Sequence, residues 1–87
     1  MEKSVDNLNR GASGTIVKLL GGVFFQRRLR TMGIREGKIF KVLAIQPFGG
    51  PVVVEVEGRA VTIGRGMAHR IIVNADKSSN LKNNSES

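Results

Sequence analysis

Residues 52–63 read Val52-Val53-Val54-Glu55-Val56-Glu57-Gly58-Arg59-Ala60-Val61-Thr62-Ile63, and this stretch decides the fold. From Val52 to Glu57 the side chains alternate, with Val52, Val54 and Val56 on one face and Val53, Glu55 and Glu57 on the other. Successive side chains of an extended chain point to opposite faces, so a period of two marks a half-buried strand. Glu57-Gly58-Arg59 is a tight turn, and Ala60 to Ile63 returns with Val61 and Ile63 facing inward.

Outward from this hairpin, glycines punctuate short β-branched runs. Thr15 to Leu20 reads as a first strand ended by Gly21 and Gly22, Ile39 to Gln46 as a second, and Arg70 to Asn74 closes the set. Five short strands with glycine-rich turns predict a mainly β fold, a small barrel of about five strands. One segment breaks the period. In Val23 to Met32, Phe25, Leu29 and Met32 fall at i, i+4 and i+7, one stripe of a short α-helix inserted after the first strand. Gly33 is placed as its left-handed terminating residue, with Ile34 packing back on the last turn. Gly64 to His69 separates two strands, and a single helical turn there would plug the barrel with Met67 and Ala68.

The chain has 87 residues, 40% hydrophobic and 24% charged, which is room for one domain with an ordinary globular balance. It has no cysteine, which excludes disulfide staples and thiolate metal sites, so packing and backbone pairing must hold the domain. No apolar run approaches the roughly 20 residues of a membrane-spanning helix, and Met1 to Arg10 does not read as a secretory signal. A cytoplasmic location is the expectation. The formal net charge is +7. All of the excess lies between Gly11 and Asn74, where Lys18, Arg27, Arg28, Arg30, Arg35, Lys38, Lys41, Arg59, Arg65 and Arg70 face only Glu36, Glu55 and Glu57. The folded part itself is basic, and its partner is expected to be acidic: a protein face, an anionic membrane surface or nucleic acid.

Two groups of residues are candidate contacts. Arg27, Arg28 and Arg30 on the helix carry guanidiniums that could grip carboxylates or phosphates, or form an ordinary solvated face. In Gln46-Pro47-Phe48-Gly49-Gly50-Pro51, two prolines flank two glycines and force a sharp reversal. Phe48 at its tip, with Gly49 and Gly50 shaping the loop, either stands exposed as a contact or folds back to cap the barrel end. No metal site is expected. There is one histidine, and Glu55 and Glu57 share a face without a third ligand. No catalytic centre is expected either: His69 has no evident nucleophile partner and no phosphate-binding loop is present.

Leu8 with Gly11, Ile16 followed by Gly21-Gly22, and Arg27-Arg28-Leu29-Arg30-Thr31-Met32-Gly33-Ile34 with Gly37 together resemble the first half of FeoA-family domains. Pro47-Phe48-Gly49-Gly50-Pro51, Val54-Glu55-Val56-Glu57-Gly58 and Met67-Ala68 before Ile71-Ile72-Val73 resemble the second half. The resemblance spans residues 8–74, leaving residues 1–7 as an extension and 75–87 as a tail expected to be disordered. It implies an SH3-like barrel and an accessory role beside the ferrous iron transporter FeoB, whose cytoplasmic G-protein domain is the implied partner. A metal-ion-binding description belongs to the wider superfamily, through the ancillary domain of DtxR-type regulators. Where many family members carry acidic residues around the helix and the last turn, this chain has Gln26 and Gly66. Beside the adaptor reading stand a basic nucleic-acid-binding barrel, which the lack of Tyr and Trp disfavours, and self-assembly through exposed strand edges.

Overall fold

The computed structural model describes residues 1–75. Its elements are β1 (Glu2–Ser4), a 3₁₀ turn (Val5–Asn7), β2 (Ser13–Leu19), α1 (Val23–Thr31), β3 (Ile39–Ile45), β4 (Val52–Val56), β5 (Arg59–Ile63), α2 (Arg65–His69) and β6 (Ile71–Ala75). All six strands join one antiparallel sheet in the order β1-β6-β2-β3-β4-β5. The mainly β barrel carrying a short helix is as expected, but the strand count is six rather than about five, and the helix follows the second strand rather than the first. The additional strand is β1, whose Glu2, Lys3 and Ser4 pair with Asn74, Val73 and Ile72. The segment preceding Leu8 therefore forms an edge of the sheet, and Val5 at its end is buried in the core. Ala75 ends β6, and the remainder of the tail expected to be disordered lies outside the described residues.

Bulges curl this sheet. Simple alternation from Ile16 would turn Lys18 inward. The β2–β6 register shifts between Ile16 and Lys18, so Lys18 faces solvent and Leu19 returns to the interior. A second shift between Val42 and Ala44 lets Val42 meet Val54 and Ile45 meet Val52 across the β3–β4 pair. Curling brings Ile16, Phe40, Val54, Val56, Ile63 and Ile71 around one interior, each 3% exposed or less. Leu29 of α1 and Ala68 of α2 are completely buried, closing the barrel as the sequence predicts, while Met67 packs half-buried beside Ala68.

Two glycines carry the geometry. At Gly33 (φ +89) the amide donates to the Arg30 carbonyl at 3.0 Å, and the Ile34 amide donates to that of Leu29 at 3.0 Å. This paired closure ends α1 and seats Ile34 against the core, 1% exposed. Gly14 pairs with Phe40 on one side and Ala75 on the other. A Cβ there would collide with the Asn74 carbonyl oxygen and lie 2.8 Å from Ala75 Cα. Gly14→Ala is expected to destabilise the fold by about 1–3 kcal/mol in urea unfolding. Gly66→Ala, in helical backbone with open space around it, should stabilise by about 0.5–1 kcal/mol.

Candidate functional site

The β3–β4 connection is a locked turn. Gly50 donates its amide to the Pro47 carbonyl at 3.1 Å, and Gln46 donates to that of Pro51 at 3.0 Å. Both central residues have positive φ, Phe48 at +59 and Gly49 at +74, as tight hairpin turns matched to strand twist require. Gly50 admits no side chain, since a Cβ would sit 2.7 Å from Gln46 Cβ. From α2, Arg65 reaches across and donates through Nε to the Gly50 carbonyl at 2.9 Å and through Nη2 to that of Gln46 at 2.8 Å. Sequence reading did not find Arg65, because its acceptors are main-chain carbonyls 15 and 19 residues away, which leave no side-chain pattern.

Phe48 does not fold back. It is 103% exposed, so the capping alternative fails. The first central position of such a turn projects its side chain beyond the last strand pair, and left-handed backbone costs a bulky residue about 1–2 kcal/mol. No packing of the ring offsets that cost. Phe48→Asn, which tolerates this conformation, is therefore expected to raise stability by about 1 kcal/mol in urea unfolding. Arg65→Met should instead lower stability and broaden or shift the amide resonances of residues 47–50.

On α1, Leu29 is buried and Phe25 and Met32 pack against the core, so the predicted stripe is the inner face. Val23, Phe24, Arg27, Arg28 and Thr31 are exposed on the other side. The three arginines are not equivalent. Arg30 turns toward the helix C-terminus, where its Nη2 contacts Glu36 at 3.2 Å and Gln26 Oε1 at 3.4 Å. Arg27 lies over the Phe24 ring, 5.7 Å from its centroid, and Arg28 is exposed. Neither forms an ion pair among the described residues. Phe48, Gly49 and Gly50 thus share one turn, the arginines share one helix, and no hydrogen bond, ion pair or ring contact joins the two groups among the described residues.

Several other ionisable groups are paired. Glu57 occupies the β4–β5 turn at φ +54 and pairs with Lys38 at 2.7 Å. The Lys38 hydrogen bond and charge, with the fields of Arg59 and Arg35, hold its carboxyl below the usual range. Glu55 stands across the sheet from Lys41. No group of three His, Cys, Asp or Glu side chains converges among the described residues. His69 Nδ1 lies 3.1 Å from Asp6 Oδ2, while Ser4 Oγ donates to the other Asp6 oxygen and Asn7 donates to Ser4 at 3.0 Å. Asp6, not His69, holds the hydroxyl, so this is no nucleophile–base pair; it latches the 3₁₀ turn to α2.

Burial is the largest influence on the Asp6 carboxyl and raises its pKa. Hydrogen bonds from Ser4 and His69 and the charge of the ring together outweigh it, leaving the group below its ordinary 3.8. A carboxylate lowered in the folded state contributes stability above its ordinary value and loses it as pH falls through the folded value. The stability advantage of the wild type over Asp6→Asn is thus expected at neutral pH and should vanish as pH drops below 3.8. Chemical unfolding of both proteins across that range tests it.

Residues 3–75 match the FeoA domain. The chain belongs to the FeoA family. It is 36% identical over 63 residues to a protein of Methanocaldococcus jannaschii named Fe(2+) transport protein A, covering 72% of this chain and 74% of that one. A crystal structure described as an iron uptake regulatory protein, FeoA, superposes with a TM-score of 0.82 at 32% identity, over 87% of this chain and all of the other. FeoA of Chlorobium tepidum superposes at 0.72 with 27% identity, over 80% of this chain and 68% of its own. A manganese-dependent transcriptional repressor shares the fold alone, at 0.80 and 22% identity over 86% of this chain and 42% of the repressor. The barrel is thus the SH3-like one that FeoA proteins share with the ancillary domains of such regulators. The manganese named for the repressor belongs to that protein, and Asp6 with His69 offers a metal only two donors.

Proposed function

We propose that this FeoA protein is a cytoplasmic accessory of a ferrous iron transport system, docking on a FeoB-type transporter through its cytoplasmic region or G-protein domain and biasing its cycle. The observation that carries the reading is the Phe48 turn. An aromatic side chain, fully exposed, stands on a backbone conformation that costs stability, and an arginine from another element pins the turn beneath it. Strained, over-determined geometry of this kind favours a role in contact over one in folding. Burying the ring on a partner supplies about 1.5–3 kcal/mol, and a pre-ordered turn keeps most of that gain because little freedom is lost on docking.

Arg27 and Arg28 add the charge that steers the domain toward an acidic face, with Arg30 contributing less because Glu36 already neutralises it. Gly49 and Gly50 act by shaping the turn. A protein of this design alters its partner only through unequal affinity for the partner's states, which requires a rigid contact surface and no chemistry of its own.

Titration of isotope-labelled protein with the cytoplasmic domain of its cognate FeoB-type transporter tests the reading. Saturable shifts on residues 47–50 are expected. Phe48→Asp should weaken binding at least tenfold, whereas Arg27→Glu with Arg28→Glu should chiefly slow association and flatten its salt dependence. Affinity unchanged by Phe48→Asp would remove the turn as the docking element.

A further inference from the structure

Residues 20–28 form a corner whose exposed apolar side chains the docking reading leaves unused, although it draws on Arg27 and Arg28 for charge. Val23 is 69% exposed, Phe24 81% and Leu20 41%, so one short stretch holds three of the protein's exposed large apolar side chains. Arg27 and Arg28 follow on the same helix face, and Lys18 is exposed just before it. No acidic residue occurs between Asp6 and Glu36.

The corner is held rigidly. Gly21 takes φ +106, and a Cβ there would lie 2.9 Å from the Phe25 ring. Gln26 Nε2 donates back to the Gly21 carbonyl at 2.9 Å, and the Gln26 amide to that of Gly22 at 3.0 Å. Beneath the turn, Arg70 stacks on Phe25 at 5.1 Å. Val23 and Phe24 are thereby presented outward with little freedom left to lose.

We propose that this corner binds an anionic lipid surface, with Val23 and Phe24 entering the headgroup–acyl boundary and Arg27 and Arg28 meeting lipid phosphates. The exposed apolar pair, in a stretch of sequence without Asp or Glu and immediately followed by two guanidiniums outside any ion pair among the described residues, has the layering of a bilayer interface: acyl chain below, phosphate above. The Arg27 guanidinium lies over the Phe24 ring, 5.7 Å from its centroid, and its long flexible stem lets the charged head reach up to the phosphates while the ring enters the boundary. An acidic protein face would complement the arginines but not the bare apolar tip beside them. The contact does not depend on the Phe48 turn, but it shares Arg27 and Arg28 with the docking reading, so Val23, Phe24 and Phe48 are the residues that separate the two.

Co-sedimentation with phosphatidylcholine vesicles, plain or doped with phosphatidylglycerol, tests the proposal on the full chain. Binding is expected to the doped vesicles and to weaken with salt. Val23→Ser with Phe24→Ser should lower partitioning at least about tenfold while leaving the circular dichroism unchanged, since both side chains are exposed. Arg27→Gln with Arg28→Gln should cost roughly fivefold per arginine, and more than the charge-matched pair Arg35→Gln with Lys41→Gln. Because the chain has no tryptophan, Phe24→Trp provides a single reporter whose emission should shift to the blue on doped vesicles. Phe48→Ser should bind vesicles as the wild type does. Absence of binding to doped vesicles, equal binding by the Val23/Phe24 variant, or equal losses from the two charge-matched pairs would each overturn the proposal. Saturable binding of the same corner to the transporter domain, with no vesicle binding, would assign it to protein instead.

Discussion

The backbone crossing at Gly14 is the constraint on which the rest depends. There β2 is paired with β3 on one side and β6 on the other, and the Asn74 carbonyl lies where a side chain would begin. Hydrogen bonds on both sides fix the strand at the centre of the sheet, and the bulge past Ile16 then rotates the remainder of β2 onto β6 alone. A flat sheet of these short strands would leave its apolar face half open to water. Bending at the two register shifts turns that face on itself, and Leu29, Ile34 and Ala68 fill the ends. With no disulfide and no converging metal ligands among the described residues, apolar burial and the sheet ladder carry the stability.

On this frame, specific polar contacts hold the outward-facing parts. Arg65 holds the Phe48 turn by its carbonyls, Gln26 holds the Gly21–Gly22 turn by the same means, and Asp6 with His69 holds the 3₁₀ turn against α2. In each case a side chain satisfies or anchors groups that a loop would otherwise leave to water, so segments without a core of their own stay ordered. Phe48 stands on a turn secured in this way, and Phe24 stands at the start of α1 just after another. Exposure alone is common on protein surfaces, but exposure on an immobilised turn keeps the entropy loss on contact small.

The parts legible from sequence were those whose signal is local. Valine alternation through Val52–Val56 and the Phe25, Leu29, Met32 stripe report their own burial, and Gly33 before Ile34 marks the helix end through one backbone conformation. β1 was missed because Glu2-Lys3-Ser4 carries no apolar alternation; an edge strand that short is held by its ladder to β6, which any residues could supply. Of the candidate residues, Phe48 stood out as an aromatic between prolines and glycines, but its direction is decided by the φ of one residue and could not be read from neighbours. The inequality among the arginines was likewise hidden. Glu36 lies six residues beyond Arg30, past the helix end, where helical spacing no longer predicts who meets whom.

The distribution of charge follows from the same contacts. Arg30 and Lys38 are spent on Glu36 and Glu57, Arg65 on main-chain carbonyls, and Arg70 on the Phe25 ring, so these cations serve the fold's own turns. Such pairs on the surface contribute little stability each and are screened by salt. Arg27, Arg28 and Lys18 form no ion pair among the described residues, so no carboxylate neutralises them locally. They lie on α1 or just before it, whereas the Phe48 turn, flanked by prolines and glycines, exposes an aromatic ring. The exposed charge and the exposed aromatic of the turn thus sit on separate residues outside the core, and each can change without disturbing the barrel that holds both.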